Sequence, residues 1–311
     1  MKLVILDSDT LGDVNLDIFK EFGELVVYPY TMPKDTLKRA KDADIVITNK
    51  VLFNKEILEQ LPKLKLIAIA ATGMNNVDLE YARKKGIVVK NVSGYSTNSV
   101  VQLTFMLALA LIGKLNYYQN YVKSGGWANS LIFTNLDKPF FEIAGKKWGI
   151  IGLGTIGKEV AKVATSFGAN VSYYATSKKP HSNIYPHQDL DELLKQSDII
   201  SIHAPLNKNT LNLITKDNIN LLKDGAVLIN VGRGGIVDEE ALANAIDSKN
   251  LLVGLDVTKS EPINKDNPLL KVKNRDNLII TPHIAWGSIE ARERLINGIV
   301  KNIREFLSEE S

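Results

Sequence analysis

The stretch Trp148-Gly149-Ile150-Ile151-Gly152-Leu153-Gly154-Thr155-Ile156-Gly157 joins an apolar run to glycines spaced as G-x-G-x-x-G. The run predicts a buried strand, and the residues after it predict a helix with one apolar face. Gly152 permits a tight turn, Gly154 lets a pyrophosphate approach the backbone, and Gly157 lets helix and strand pack closely. The free N–H groups at the helix start favour phosphate. The stretch therefore predicts a dinucleotide-binding turn, rather than a ligand-free glycine turn, formed by Gly152, Gly154, Thr155, Ile156 and Gly157.

Short apolar runs alternate with helical segments on both sides of this turn. The predicted strands are Leu3–Leu6, Leu25–Tyr28, Ile45–Thr48, Leu66–Ala70, Ile87–Val89, Trp148–Ile151, Asn170–Tyr174, Ile199–His203, Ala226–Val231, Val253–Leu255 and Leu278–Ile280. Continuous apolar strands between helices indicate parallel sheets that are covered on both faces. We therefore expect an α/β protein with two doubly wound parallel-sheet domains.

Four segments are predicted to be helices, and two of them bear on the boundary between the two domains. Lys34–Lys41 and Asp78–Lys85 lie in the first half, and Gly86 follows the second of them where a C-cap glycine is expected. A long helix over Thr97–Lys114 leads towards the second sheet. The last helix, Ser288–Leu307, could pack on either domain.

Composition excludes several classes of protein. The 311 residues are 45% hydrophobic and 23% charged, and the net charge is only +3 with dispersed basic residues, so we expect no nucleic-acid partner. The apolar stretch Val100–Leu115 is shorter than the roughly 20 residues of a membrane span, so we expect no membrane association. Without cysteine there is no disulfide or thiolate metal site, and we assign no metal site. Because Leu3–Leu6 is too short for a signal-peptide core, we expect a cytoplasmic protein.

The end of the second strand after the glycine turn bears on the choice of cofactor. Selective NAD sites usually place a carboxylate there to bind the ribose 2′-hydroxyl. Here the residues are Ala175, Thr176, Ser177, Lys178 and Lys179, which include no acid. Hydroxyls and lysines suit a 2′-phosphate, so the pattern favours NADP(H). NAD(H) stays possible if the lysines are only solvated.

Three loops that follow strands of the second sheet carry groups suited to keto-acid reduction. Arg233 lies in one, and its planar fork can hold a carboxylate by two parallel hydrogen bonds. His283 lies in another, and an imidazole can donate a proton near neutral pH. Glu261 lies in the third, and a carboxylate beside an imidazole favours the charged form. Each residue alone also fits an ordinary surface role, but their position on the ligand-binding edge of one sheet favours a catalytic set.

The turn after the strand Leu66–Ala70 is a candidate for binding the other end of the substrate. Its N–H groups near Thr72, Gly73 and Met74 could hold a carboxylate. The alternative is an ordinary connection between a strand and a helix.

Over nearly its whole length the chain resembles the D-isomer-specific 2-hydroxyacid dehydrogenases. The similar segments are Ala71–Asp78, Gly94–Thr97, Gly152–Gly157, His203–Leu206, Leu222–Gly234, Asp256–Pro262 and Pro282–Trp286. The resemblance implies a Rossmann domain and a flavodoxin-like substrate domain with the active site between them. We expect residues 1–96 and 286–311 to form the substrate domain and residues 97–285 the Rossmann domain. It further implies a homodimer formed around the long helix.

The resemblance also implies roles for individual residues. It implies an Arg233–Glu261–His283 catalytic set, with substrate held by Thr72–Met74, Arg233 and Trp286. The implied cofactor contacts beyond the glycine turn and the end of the second strand are His203, Ala204, Pro205, Val231, Gly232, Arg233 and Asp256. We assign no role to His181 or His187.

Within the family the segments around Gly94 and His283 are similar to those of glycerate dehydrogenases, also called hydroxypyruvate reductases. A bulky Trp286 close to the proton donor suits a small substrate. We therefore expect reduction of hydroxypyruvate to D-glycerate, with glyoxylate as a second substrate. The departure is Ala175, where many relatives carry an acid. The alternatives are a D-lactate or phosphoglycerate dehydrogenase, or a non-catalytic dinucleotide-sensing protein similar to the co-repressors that share the fold.

Overall fold

The computed structural model describes residues 1–177, 179–180 and 182–310. Its strands are β1 (Lys2–Ile5), β2 (Glu24–Val27), β3 (Ile45–Thr48), β4 (Leu66–Ile69), β5 (Val88–Asn91), β6 (Lys147–Ile151), β7 (Asn170–Tyr174), β8 (Ile199–Ile202), β9 (Val227–Asn230), β10 (Leu252–Leu255) and β11 (Leu278–Ile280). Its α-helices are α1 (Thr36–Ala40), α2 (Lys55–Glu59), α3 (Leu79–Lys84), α4 (Thr97–Ile112), α5 (Leu115–Lys123), α6 (Thr155–Ser166), α7 (Leu190–Gln196), α8 (Glu239–Ser248) and α9 (Ile289–Glu310). Short 3-10 helices occupy Ser8–Leu11, Asp17–Phe22, Pro33–Asp35, Ile219–Leu221, Pro268–Lys271 and Arg275–Asn277.

The chain forms two compact units. The first contains Met1–Ser96 and Gly287–Ser311, and the second contains Thr97–Trp286. Trp286 thus lies in the second unit, one residue beyond the boundary expected from the sequence. The reason is local: Ala285 is buried and its N–H donates to Asp256 of the second unit, so the chain leaves that unit only after Trp286.

The first unit contains a parallel sheet of five strands in the order β2-β1-β3-β4-β5. This is the flavodoxin-like order, with the reversal between β1 and β3. α9 packs against β4 and β5, so the last helix belongs to this unit. Gly298 permits the approach, because a Cβ there would lie 2.5 Å from the Val92 side chain. Gly86 follows α3 at φ +73°, as expected of a C-cap glycine.

The second unit contains a parallel sheet of six strands in the order β11-β10-β9-β8-β6-β7. An isolated parallel bridge between Tyr173 and His187 lies beside β7, where a Rossmann fold has its third strand. With that bridge counted, the strand order is that of the Rossmann fold extended by β11. Apolar clusters cover both faces of the sheet, one including α4 and α6 and the other including α7 and α8.

The long helix predicted over Thr97–Lys114 is shorter than expected and is followed by a second helix. α4 ends at Ile112, and α5 begins at Leu115 after a bend of 62°. Lys114 adopts φ +51°, a left-handed conformation that an α-helix cannot contain. In the described part of the chain no single helix has the length and apolarity to cross a membrane, and α4 with α5 meets that test only as this bent pair.

Candidate active site

The glycine turn joins β6 to α6. Gly152 has φ +91°, and a Cβ on Gly157 would lie 2.2 Å from the Gly152 carbonyl oxygen, so both positions require glycine. A Cβ on Gly154 would meet no atom within 4 Å. Gly154 therefore faces open space at the start of α6, where no described side chain caps the helix. A helix N-terminus without a side-chain cap, next to a glycine that has open space around it, fits a dinucleotide pyrophosphate. Such a group needs backbone N–H donors and close approach to the backbone.

Loops that follow β6, β8 and β9 contact one another at the carboxyl ends of these strands. A Cβ on Gly152 would lie 3.0 Å from the His203 carbonyl oxygen and 3.1 Å from the Ala204 Cα. A Cβ on Gly232 would lie 3.0 Å from the Ala204 carbonyl oxygen. The structure thus brings together the glycine turn, the start of the His203–Pro205 segment and the Val231–Arg233 segment on one edge of the sheet.

Asn230 holds the loop that carries Arg233. Its side chain accepts a hydrogen bond from the Gly232 N–H at 3.0 Å and donates to the Arg233 carbonyl oxygen at 3.0 Å. Asn230 was not among the residues predicted from the sequence, although a polar residue that ends an otherwise apolar strand is a recognisable signal. Arg233 itself is half-buried, and Nη1 donates to the Gly232 carbonyl oxygen at 2.8 Å. No carboxylate of the described residues forms an ion pair with its guanidinium, which is therefore available for a ligand.

Asp256 organises the loop that carries His283. Its carboxylate accepts hydrogen bonds from the N–H groups of Ile284 and Ala285, both at 2.8 Å, and from Thr281 Oγ1 at 2.5 Å. Burial raises the pKa of Asp256, while these hydrogen bonds and the nearby His283 act in the opposite direction. Asp256, an expected cofactor contact, therefore also holds the loop that carries His283.

His283 and Glu261 form the central pair of the site. His283 Nδ1 lies 2.7 Å from Glu261 Oε2, and Glu261 Oε1 accepts a hydrogen bond from the Thr258 N–H at 3.3 Å. His283 has φ +55°, an uncommon conformation for a non-glycine residue and one found at functional sites. With Nδ1–H directed at the carboxylate, Nε2 is the atom that can carry a proton to a ligand.

The three polar residues follow neighbouring strands. Arg233 comes after β9, Glu261 after β10 and His283 after β11, and these strands are adjacent in the sheet. Gly234 brings the first two loops into contact, since a Cβ there would overlap the Thr258 carbonyl group at 1.9 Å. The edge therefore presents a guanidinium and a carboxylate–imidazole pair on successive loops, the groups that clamp a carboxylate and move a proton.

His203, a second histidine on this edge, has a different character. Part of the residue is exposed, but both ring nitrogens are buried and have no hydrogen-bond partner among the described residues. Burial lowers the pKa of His203 from 6.5 to about 3. The ring is therefore neutral at neutral pH, which leaves His283 as the imidazole that can act as an acid.

The buried His203 should make the second unit less stable in mild acid. Below about pH 6.5 the unfolded chain gains a proton that the folded chain does not, so the free energy of unfolding falls as the pH falls. Between about pH 7 and about pH 5 this contribution is about 2 kcal/mol. Urea unfolding followed by fluorescence of the buried Trp148 measures it. His203→Asn should lose that part of the pH dependence, and an identical dependence in both proteins would contradict the prediction.

At the end of β7 the structure describes some of the residues expected to contact the ribose. Ala175 is buried, Thr176 is half-buried, and Ser177 is exposed. Ser177 Oγ lies 3.5 Å from both the carbonyl oxygen and the N–H of Lys179. Lys178 lies outside the described residues, as does His181. His187 packs its ring at 5.3 Å from that of Tyr173, an arrangement that supports the fold.

The remaining predicted substrate contacts lie in different units. Thr72–Met74 follow β4 of the first unit, where Asn91 Nδ2 donates to the Thr72 carbonyl oxygen at 2.5 Å and holds the turn. Trp286 is half-buried at the end of the second unit, three residues after His283. The roles of these residues in binding substrate stay predictions.

The chain is similar to known enzymes that act on 2-hydroxy acids and 2-keto acids. The model of the D-isomer-specific 2-hydroxyacid dehydrogenase NAD-binding domain matches residues 105–285. A hydroxypyruvate reductase of Blautia hydrogenotrophica is 39% identical, covering 99% of this chain and 97% of its own. A glycerate dehydrogenase of Methylorubrum extorquens is 38% identical over 99% and 96%. The crystal structure of a D-lactate dehydrogenase from Aquifex aeolicus, complexed with NAD and lactic acid, is 30% identical with a TM-score of 0.87, covering 99% and 96%.

Proposed function

Because the chain belongs to the D-isomer-specific 2-hydroxyacid dehydrogenase family, we propose that it reduces hydroxypyruvate to D-glycerate, with glyoxylate as a second substrate. The observation that carries this proposal is the 2.7 Å contact between His283 and Glu261, on the same sheet edge as an Arg233 that has no carboxylate partner among the described residues. The relatives named for hydroxypyruvate and glycerate support the choice of substrate.

The chain's own residues divide the chemistry between them. Arg233 binds the substrate carboxylate through its planar fork, which also orients the keto carbon. His283 donates the proton on Nε2 to the keto oxygen, and Glu261 accepts the hydrogen bond from Nδ1–H and stabilises the imidazolium. The nicotinamide dinucleotide supplies the hydride that reaches C2 when it is bound. The product is the 2-hydroxy acid, and His283 regains its proton from solvent.

For the cofactor we favour NADP(H) over NAD(H). The support is the lack of an acidic residue at the end of β7, together with the hydroxyls of Thr176 and Ser177, which can donate to a 2′-phosphate. A carboxylate at this position would repel that phosphate. The exposed Lys179 adds positive charge close by.

Steady-state kinetics with two cofactors and several keto acids test both proposals. We expect hydroxypyruvate to exceed pyruvate in kcat/KM by about tenfold or more, the range that one polar contact provides. NADPH should exceed NADH with the same keto acid. If the nicotinamide absorbance falls with none of the keto acids, the proposed function is refuted. A preference for pyruvate or phosphohydroxypyruvate would instead identify a D-lactate or a phosphoglycerate dehydrogenase.

We further propose that the chain forms a homodimer through α4 and residues 131–136, which follow α5. Several large apolar side chains there are exposed, and Leu131 and Phe133 are 102% and 88% exposed. A patch of this kind on one chain indicates a protein interface. Light scattering of the purified protein measures the mass, and a monomer at micromolar concentration would refute the proposal.

A further inference from the structure

The second unit contains a cavity at the opposite edge of its sheet from Arg233, Glu261 and His283. The volume of the cavity is about 590 Å³, within the range of small-molecule sites. Gly225, Asn250 and Asn277 line it and lie just before β9, β10 and β11. Because the strands are parallel, these amino ends lie about 13 Å from the carboxyl ends that carry the catalytic candidates.

Positive charge dominates the lining of this cavity. It includes four cationic side chains and one carboxylate, namely Lys114, Lys138, Lys273, Arg275 and Asp276. None of the four cations forms an ion pair with a carboxylate in the described ranges of the chain, whereas several exposed lysines elsewhere do. Clustered cations that form no ion pair favour an anionic ligand.

The backbone places these cations rather than leaving them to mobile loops. The Asp247 carboxylate accepts hydrogen bonds from the N–H groups of Lys273 and Asn274, at 3.1 and 2.9 Å. A short 3-10 helix then carries Arg275 directly into β11. Two of the cations therefore stand on a segment that is anchored at both ends.

Lys114, which also lines the cavity, has an uncommon backbone conformation. It sits between α4 and α5 at φ +51°, where glycine or asparagine would cost less. Burial and the neighbouring charge of Lys138 lower the pKa of Lys114, while the charge of Asp276 acts in the opposite direction. A bound anion would relieve the repulsion between the two lysines.

The cavity also has an aromatic side. Tyr117, Phe140 and Phe141 line it, and Phe140 is 61% exposed. The Lys138 ammonium lies 5.4 Å from the centre of the Tyr117 ring and so connects the aromatic side to the cationic one. Such a lining suits a ligand with a flat ring joined to a multiply charged group.

We propose that this cavity binds a small organic phosphate with two or more negative charges and a flat ring, the chemistry of a nucleoside diphosphate. The phosphates lie against Lys273, Arg275 and the lysine pair, and the ring lies on the aromatic side. The site is separate from the dinucleotide turn, and it requires no particular keto-acid substrate.

Calorimetric titration with ADP tests the proposal on the full-length protein in its native assembly. With the dinucleotide site occupied by stoichiometric NADPH, we expect ADP to bind at one further site per chain. Lys273→Glu and Arg275→Glu should each weaken that binding about tenfold or more, the loss of a charge-assisted contact. The matched control Lys216→Glu reverses a charge on an exposed lysine of the same unit that does not line the cavity, and it should change the affinity less than twofold.

Several results would overturn the proposal. The proposal is wrong if ADP does not bind in the presence of NADPH. That result is also the one expected if a partner subunit fills the cavity. Equal affinity of the wild type and Arg275→Glu would overturn the proposal as well. Pyrophosphate and adenosine should each bind at least about tenfold more weakly than ADP, and pyrophosphate binding as tight as ADP would refute the nucleoside class. Circular dichroism and unchanged reductase activity without ADP show that the variants fold.

Discussion

Replacing His283 should lower kcat for keto-acid reduction by about a thousandfold, within the range for a general acid. Nε2 of His283 is the proposed proton donor, because burial lowers the pKa of His203, the other histidine on this edge, to about 3 and keeps that ring neutral. His283→Asn is the better variant than His283→Ala, since asparagine tolerates the observed φ of +55°. Stopped-flow and steady-state rates measure the effect.

Binding of the dinucleotide separates a chemical role for His283 from a structural one. The His283 loop is held through the N–H groups of Ile284 and Ala285 on Asp256, and the imidazole takes no part in those bonds. NADPH affinity should therefore change less than about threefold in His283→Asn. Glu261→Gln keeps a hydrogen-bond acceptor for Nδ1–H and removes the charge, so it should lose less activity than His283→Asn. Activity of His283→Asn close to that of the wild type would exclude the proposed role.

Replacing Arg233 with alanine should reduce kcat/KM by about 10²- to 10⁴-fold. Two charge-assisted hydrogen bonds at about 1.5–3 kcal/mol each would be lost, and each factor of ten corresponds to about 1.4 kcal/mol. The half-buried guanidinium donates a hydrogen bond to the Gly232 carbonyl oxygen of its own loop, and it forms no ion pair with a carboxylate of the described residues. Most of the lost free energy is therefore binding energy to the substrate.

Arg233→Lys is the matched variant for this prediction, because lysine keeps the charge and lacks the planar fork. It should recover part of the activity lost in Arg233→Ala and retain a raised KM. The measurement is kcat and KM for hydroxypyruvate with saturating NADPH, and the dinucleotide affinity is the control. Equal kinetic constants for Arg233→Ala and the wild type would remove Arg233 from the substrate site.

Secondary structure was predictable to a useful degree because its signals are local. All eleven predicted strands correspond to strands of the structure, with ends that differ by at most two residues. Buried parallel strands are continuous apolar runs, and the helices between them separate the runs cleanly. The prediction of one long helix over Thr97–Lys114 was wrong at its end, because the helix stops at Ile112, just before Gly113, a residue type common at helix ends, and Lys114 is left-handed.

The apolar runs, the spacing of the glycines and the ordered polar loops were enough to predict two parallel α/β units, the dinucleotide turn and the three catalytic candidates. These features depend on short-range periodicity and on residue chemistry. Both can be recognised within a single strand and the turn that follows it, without the rest of the chain. Only the tertiary structure gave the 2.7 Å distance of the expected Glu261–His283 pair, the scaffolds built by Asn230 and Asp256, and the cationic cavity at the far edge of the sheet. Each joins residues on separate loops, and strand order and backbone hydrogen bonds, rather than neighbours in the chain, set the distances between them.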